Sequence, residues 1–490
     1  MLFDAEIKPK VILRNYQIKV KEEILLALKD SRSVLLQLPT GGGKTIVMGS
    51  IVDSCNKRPQ GVYKTLTVAH RDELIDQTAD RYFNQFGIYT GKIKSGVKPD
   101  YSINHQVASV ATMVNRIENF NPNVILIDEA HHASASTYQK LVKAYPNAKI
   151  IGVTATPYRL SGEGLINTFE KIVLGPTVEE LEKAGSLVAA KILVDRIDLS
   201  KVKMSKGDYD ERQLNEAMIE SEKVLSIVDT YIEKGEGKQM VVYATSIEHS
   251  KMIVEAFNWR GIKAAHVDGL SNDRHVIFRK FKSKEIQIIS NVGIATEGND
   301  IPSIEIISLA RPTKSLSLFL QMVGRGSRPM QGKAEYLIFD HANNVFEHGL
   351  PNKNHDWEKH FIGTRKGGKS AKKPPKEKQF VLQLENGQQI TRSLEKLPNG
   401  FKGKILRELD PSEYFSIEVV DRFNGFLDAA LVRGQKPLSA FHRILDYCEQ
   451  NKLPAPNDGI VRKIAEKLGW GNQFAIDRMN ELVKSYKFIN

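Results

Sequence analysis

The stretch Leu38-Pro39-Thr40-Gly41-Gly42-Gly43-Lys44-Thr45 follows an apolar run at 33–36 and precedes a helical pattern that begins at Ile46. An extended run, a glycine-rich turn and a helix start, in that order, make a cradle for phosphate. Glycines let successive backbone N–H groups turn toward an anion, and the helix adds the positive end of its dipole. Lys44 is expected to reach the β- and γ-phosphates, and the Thr45 hydroxyl to hold Mg2+. The strict pattern has Gly where Leu38 stands, so the match is imperfect. Pro39, Thr40, Gly41, Gly42 and Gly43 complete the contact set expected for ATP or a related nucleotide.

Outward from that loop, residues 1 to about 185 alternate short β-branched runs (33–36, 65–69, 109–111, 124–127, 150–153) with helical stretches. This is the pattern of a parallel sheet with crossover helices. It resumes past residue 190 in runs at 239–243, 264–267, 286–290, 304–309 and 335–339. The expected class is therefore α/β, with two units in series and a phosphate loop in the first alone. Segment 174–190 carries Gly and Pro and reads as the connection; 208–231 reads as a helical lead-in to the second unit.

At 364–378 the composition changes. Seven Lys or Arg stand against one Glu, half of the chain's net charge of +12, among Gly, Pro and Ser that cannot bury a core. The segment reads as a flexible basic tether, with direct phosphate contact as the alternative. Runs at 380–384 and 389–394 flank Glu385-Asn386-Gly387-Gln388, a hairpin pattern on an Asn-Gly turn. From Pro411 onward the pattern is helical, with core spacing at Ile460, Ile464, Leu468 and at Ile476, Met479, Leu482, Val483. Trp470, between Gly469 and Gly471, reads as a small-domain core residue, with stacking on a base as the alternative. The expected divisions are 1–185 and 186–355 for the two units, 356–378 for the basic linker and 379–490 for an accessory region of hairpin and helices.

Composition sets further bounds. A chain of 490 residues exceeds one core, and 41% hydrophobic with 26% charged residues is ordinary for a soluble globular protein. No apolar run reaches the roughly 18 residues that span a bilayer. Residues 1–10 alternate charge with apolar side chains and lack a signal-peptide core. A cytoplasmic location and no membrane partner are expected. Cys55 and Cys448 form no CxxC pair, so buried or neutral thiols are expected rather than a zinc knuckle or a disulfide framework. The net charge of +12 and a pI near 9.3 suit a polyanionic partner.

A second chemical signal is Val124-Ile125-Leu126-Ile127-Asp128-Glu129-Ala130-His131-His132, an apolar strand that delivers two carboxylates at its C-terminal end. Open parallel sheets bind ligands at that end. Asp128 is expected to bind Mg2+ through the metal's water shell, and Glu129 to polarise the water that attacks the γ-phosphate. His131 is expected to couple this site to the second unit; His132 has no assigned role.

Together these motifs resemble the DEAH-type members of helicase superfamily 2, and the remaining motifs of that family occur in order over about 10–345. Arg14-Asn15-Tyr16-Gln17 resembles its adenine-reading element. Ala69-His70-Arg71-Asp72-Glu73-Leu74 and Val110-Ala111-Thr112 resemble strand-contacting motifs, and Thr154-Ala155-Thr156-Pro157 the motif that links hydrolysis to strand movement. In the second unit, Tyr243-Ala244-Thr245-Ser246, His266-Val267-Asp268-Gly269, Asn291-Val292-Gly293 and Thr296-Glu297-Gly298-Asn299-Asp300-Ile301-Pro302 are similar to family positions, as is Gln321-Met322-Val323-Gly324-Arg325-Gly326-Ser327-Arg328.

The resemblance implies two tandem RecA-like parallel-sheet motor domains with ATP clamped between them. By it, Arg325 and Arg328 neutralise the γ-phosphate and Gln321 orders the water. Arg14, Gln17, Gly298 and Asp300 join the ATP site, and Thr154 and Thr156 transmit its state. His70, Arg71, Thr112, Thr245, Asn291 and Thr296 would face a nucleic-acid backbone. A finer likeness is to the bacterial RadD-like group and related phage helicases of repair and recombination, through Phe339-Asp340-His341-Ala342-Asn343-Asn344-Val345, His348-Gly349 and 431–437. The cysteine zinc module that members of that group can carry is replaced here by the basic tether. The expected function is an ATP- and Mg2+-dependent helicase or branch-remodelling translocase on single-stranded or branched DNA. An RNA helicase and the motor of a restriction-type complex are the alternatives.

Overall fold

The computed structural model describes residues 11–363, except 71, 133–135, 160–162, 196, 198, 200, 201, 206, 207, 270, 272 and 294–302. It further describes 403–409, 419, 423, 427, 438–450, 454–468, 473–484 and 486. Two seven-stranded sheets organise it.

The first sheet contains β1 (Ser33–Gln37), β2 (Thr65–Ala69), β3 (Gly91–Ile93), β4 (His105–Ser109), β5 (Val124–Ile127), β6 (Lys149–Thr154) and β7 (Lys171–Leu174). Their order is β3-β4-β2-β5-β6-β1-β7, and every pairing is parallel. Strands β1, β2, β4 and β5 are buried along their whole length. β5, Val-Ile-Leu-Ile, accordingly reads as a continuous apolar run rather than as alternation, whereas β4 is buried despite carrying His105 and Gln106. Helices α1 (Asn15–Asp30), α2 (Lys44–Asn56) and α3 (Asp72–Phe86) cover it. Val20, Ile24, Val47, Ile51, Ile75 and Tyr82 on these helices join Val34, Leu36, Val107 and Leu126 of the strands in one core. Because β6 lies between β1 and β5, the phosphate loop, Asp128 and Thr154 leave three neighbouring strands at the same C-terminal edge.

The second sheet runs β12-β13-β11-β14-β15-β8-β16. Its strands are β8 (Ala189–Val194), β11 (Met240–Tyr243), β12 (Ala264–Val267), β13 (Ile288–Asn291), β14 (Ile306–Leu309), β15 (Glu335–Asp340) and β16 (Arg407–Glu408); β9 (Met204–Ser205) and β10 (Asp208–Tyr209) form a separate hairpin. All pairings within this sheet are parallel except that of β16 with β8. This is the two-lobed RecA-like α/β architecture that the motif order implies. No helix among the described residues is long and apolar enough to cross a membrane.

Several expectations are corrected. The run at 109–111 is not a strand: β4 occupies His105–Ser109 and the chain turns at once into the Val110–Met113 helix. Polar residues hide this strand in the sequence, and the His105 ring and the Gln106 amide nitrogen find partners inside. His105 Nδ1 lies 3.0 Å from Thr65 Oγ1, its Nε2 lies 3.2 Å from Asn56 Oδ1, and Gln106 donates to the Asp100 and Ile103 carbonyls. Segment 174–190 is more than a connection. Thr177 and Glu180 close a capping box on the Val178–Lys183 helix, and the chain then enters β8. The lead-in at 208–231 opens with β10 before its helices Glu211–Met218 and Ser221–Lys234. Arg407–Glu408, expected in the accessory region, edges the second sheet instead.

After β15 the chain crosses back to the first lobe. In the Trp357–Ile362 helix, Phe361 is buried in the first lobe's core beside Leu165 and Phe169, and its carbonyl accepts from the Ile166 N–H at 3.1 Å. His360 stacks on Tyr158 with ring centroids 4.7 Å apart. Farther on, the helices Leu438–Gln450, Asp458–Lys467 and Gln473–Lys484 bury Ile460, Ile464, Ile476, Met479 and Val483 together, with Leu468 and Leu482 packed against them, as their spacing predicts. The basic tether, the 380–394 hairpin and Trp470 lie outside the described residues.

Candidate active site

The phosphate loop bridges β1 and α2. Gly41 and Gly43 sit at φ of +85° and +84°, the left-handed region that a side chain resists, and Gly42 N–H donates to the Pro39 carbonyl at 3.0 Å. Leu38, the departure from the strict pattern, is fully buried in the first lobe's core. The position serves packing, so glycine is not required there. Tyr16 and Gln17 hold the loop from behind. Tyr16 donates its hydroxyl to the Gly42 carbonyl at 2.9 Å, and Gln17, whose Oε1 accepts from Arg14 N–H at 3.0 Å, lies against Gly43. Arg14 donates to the Ser186 carbonyl at 3.2 Å, at the junction with the second lobe.

The β5 strand delivers the carboxylates beside this loop. Lys44 Nζ stands 3.6 Å from Glu129 Oε1. Burial, reinforced by the Glu129 charge, pushes the Asp128 carboxyl up to about 6, against the pull of Lys44. Glu129 has φ of +47°, strained for a residue with a side chain. Its turn is closed by two bonds: Glu129 N–H to Asp128 Oδ1 at 2.9 Å, and His132 N–H to the Glu129 carbonyl at 3.0 Å.

From Glu129 a chain of polar contacts leads to the second lobe. His131 Nδ1 is 3.4 Å from Glu129 Oε2 and 3.1 Å from Thr154 Oγ1. Thr154 donates to the Thr156 carbonyl, and Thr156 Oγ1 meets Ser317 Oγ at 2.8 Å across the lobes. Ser317 opens the Leu316–Val323 helix, whose other end carries Gln321 and leads to Arg325 and Arg328.

These elements enclose an open cleft of about 310 Å³, with Thr40, Gly41, Gly43, Lys44, Thr45, Asp128 and Glu129 on one wall and Gln321, Arg325 and Arg328 on the other. The lobes touch backbone to side chain here: a Cβ at Gly324 would stand 2.5 Å from Thr40 Cβ. The sequence-predicted ATP and Mg2+ residues of the first lobe and the arginine pair of the second are therefore brought together.

The strand-contacting candidates are more dispersed. His70 directly follows β2, with its ring centroid 4.7 Å from that of His132. Thr112 is half-buried on the Val110–Met113 helix. Thr245 Oγ1 is engaged with Asn215 and His249 at 3.3 and 2.9 Å. Asn291 is fully buried and donates to the Val242 carbonyl at 2.8 Å, tying β13 to β11 rather than presenting its amide at the surface. Arg71, Thr296, Gly298 and Asp300 lie outside the described residues.

Sequence reading missed four participants. Tyr16 and Ser317 act through single hydroxyls at a distance. His132 stands in a ring stack described below. Arg81 donates to Thr45 Oγ1 at 3.3 Å and lines the cleft with Leu74, Gln77, Thr78 and Gln85. That last set falls on one face of α3 at helical spacing, a periodicity legible in advance.

Residues 10–159 match the family described as type III restriction enzyme, res subunit, and residues 222–330 match the helicase conserved C-terminal domain. A 51.5 kDa protein of a Lactococcus phage is 33% identical over 343 residues, which cover 69% of this chain and 72% of the phage protein. The putative ATP-dependent helicase IRC3 of Saccharomyces cerevisiae is 31% identical over 355 residues, 67% of this chain and 51% of that protein, so the chain spans about half that relative's length. A fragment of a putative HsdR subunit of a type I restriction enzyme from Vibrio vulnificus shares the fold, with a TM-score of 0.55 at 20% identity over 70% of this chain and 67% of that one. The two matched families fall on the two lobes in the order the cleft requires, and with the phage relative aligned over most of both proteins, this chain belongs to superfamily 2 of the helicases.

Proposed function

We propose that this chain is a DEAH-type motor of that superfamily, which hydrolyses ATP in the cleft and converts closure and reopening of its lobes into movement along DNA. The observation that carries this reading is the facing of Lys44 and Glu129 with Gln321, Arg325 and Arg328 across one cavity. The N–H groups of the phosphate loop and Lys44 bind the triphosphate, with Arg14 and Gln17 at the adenine side. Glu129 accepts a hydrogen bond from the attacking water and Gln321 helps align it. Arg325 and Arg328 neutralise charge that builds on the transferred group, a contribution of about 10³–10⁵ in rate for such arginines.

Thr45 and Asp128 would hold Mg2+. The donor set fits: Asp128 is buried beside a second carboxylate and its carboxyl is pushed up to about 6, a crowding that a divalent cation relieves. When bound, the ion offsets negative charge on the phosphate oxygens. Loss of the γ-phosphate removes what Arg325 and Arg328 hold, so the closed form loses its differential contacts and the cleft reopens. The Glu129–His131–Thr154–Thr156–Ser317 chain transmits that change.

The basic balance of the chain supports a nucleic-acid partner, and DNA in particular is supported by the first lobe's match to a family named for a restriction-enzyme subunit, since restriction enzymes act on DNA. The likeness to RadD-like and phage recombination helicases points the same way. The test is ATP turnover alone and with single-stranded, branched and duplex DNA or RNA. Stimulation by DNA is expected, with Lys44→Ala and Glu129→Gln losing about 10²–10⁴ of the rate. A full rate without nucleic acid would sink the motor reading; stimulation by RNA alone would replace DNA with RNA.

A further inference from the structure

Three imidazoles form a continuous stack between the strand-facing edge of the first lobe and the catalytic turn. The His70 and His132 ring centroids are 4.7 Å apart with planes at 44°, and those of His132 and His131 are 4.1 Å apart with planes at 42°. One end of this stack is His70, the second residue of the motif 69–74 that is similar to a strand-contacting element. At the other end, His131 touches Glu129 and Thr154. His132 is fixed to the same turn by its backbone as well, since its N–H closes the turn on the Glu129 carbonyl at 3.0 Å.

We propose that His132 is a positioning residue, whose ring transmits occupancy of the strand site at His70 to the turn that holds Glu129. This rests on the motor reading above and goes beyond it by assigning the route. The physical argument starts from strain. Glu129 holds a backbone conformation that a side chain disfavours, and such residues persist only while their surroundings hold them. Its support includes two hydrogen bonds within the turn, Lys44 and His131 at the carboxylate, and the stacked rings of His131 and His132, the latter resting in turn on His70. A strand seated against His70 limits the freedom of that ring, and through van der Waals contact the freedom of His132 and the turn. Glu129 then spends more of its time where it meets the attacking water. The route requires a flat ring at position 132; its charge plays no part.

The experiment compares His132→Ala, His132→Asn and His132→Phe in the full chain. Steady-state ATP turnover is titrated with single-stranded DNA, and DNA affinity is measured separately by fluorescence anisotropy without turnover. Removing the ring is expected to lower the ratio of stimulated to unstimulated kcat by roughly two- to thirtyfold, the range seen when coupling residues are altered. The KM for ATP and the DNA affinity should stay within about twofold of the parent protein, a spread that corresponds to a few tenths of a kcal/mol. His132→Phe restores a flat ring and should keep most of the ratio, whereas His132→Asn must behave as His132→Ala does. The relay is overturned if the ratio survives in the Ala and Asn variants, if Phe loses as much as Ala, or if the loss follows weakened DNA binding. A parent protein that no nucleic acid stimulates would sink the motor reading and the relay with it; a stimulated parent with an intact His132→Ala sinks the relay alone.

Discussion

The hydroxyl pair Thr156–Ser317 ties the two lobes together at 2.8 Å, with both residues buried. Thr156→Val keeps the shape of the side chain and deletes its hydroxyl, so Ser317 Oγ is left in a closed, dry contact without that partner. A buried polar group deprived of its partner costs about 1–3 kcal/mol. In an open cleft both hydroxyls meet water, so the penalty falls on the closed form alone. A penalty of that size shifts an equilibrium by about 5–150-fold, and kcat/KM for ATP should fall within that range in Thr156→Val and in Ser317→Ala. The double variant leaves neither hydroxyl stranded and should be no worse than the poorer single. The assay is a double-mutant cycle on kcat/KM, with thermal melts to establish that all four proteins fold. If the two single effects combine in the double variant to within about 0.3–0.5 kcal/mol of simple addition, the pair is not an interlobe latch and the reasoning fails.

Two further outcomes follow from burial. Phe361→Ala removes an aromatic side chain from the first lobe's core, which costs about 3–5 kcal/mol where the surroundings stay in place; denaturant titration should show the first lobe's transition at lower denaturant, and a shift worth less than about 1 kcal/mol would mean the returning segment is not docked. Burial pushes the Cys55 thiol up to about 11, so in the folded protein it stays protonated until the pH approaches that value. With an unfolded thiol near 8.5, disulfide-exchange labelling of Cys55 at pH 8 should be at least about a hundredfold slower in the native chain than in denaturant, as read by peptide mapping.

What the sequence disclosed follows from how local each signal is. β2 and β5 match their expected limits because a buried parallel strand needs apolar side chains on both faces; β12 matches too, although it is an edge strand fully buried only at Val267. β4 escaped because His105 is bonded to Thr65 of β2 and Gln106 to carbonyls of the loop before the strand, and side-chain bonds of this kind leave no trace in a hydropathy pattern. β8 begins Ala-Ala-Lys after a helix whose capping box was legible but which had been absorbed into a connection. In the site, Lys44, Thr45, Asp128 and Glu129 were legible because backbone turns and strand ends fix them over a few residues. Ser317 was not, since its partner lies 161 positions away and a serine at a helix start reads as ordinary capping. Asn291 shows the converse: its motif was legible, but whether its amide faces outward depends on β11, which sequence spacing does not encode.

The return of the chain to the first lobe constrains how the cleft can move. The outgoing segment with the Val178–Lys183 helix and the incoming segment before Trp357 run beside each other, joined by an Asn352–Glu182 hydrogen bond at 3.2 Å. Thr177, Val178 and Leu187 of the first face Pro351, His355 and Trp357 of the second around a shared apolar pocket. These two threads on one flank act as an axle, and the chain crosses once more between Phe361 in the first lobe and β16 in the second. Rotation about that axle stays cheap, while sliding or twisting must stretch one thread against the other. A motor that works by opening and closing this cleft would be guided along one arc by its connectivity, whichever nucleotide it holds.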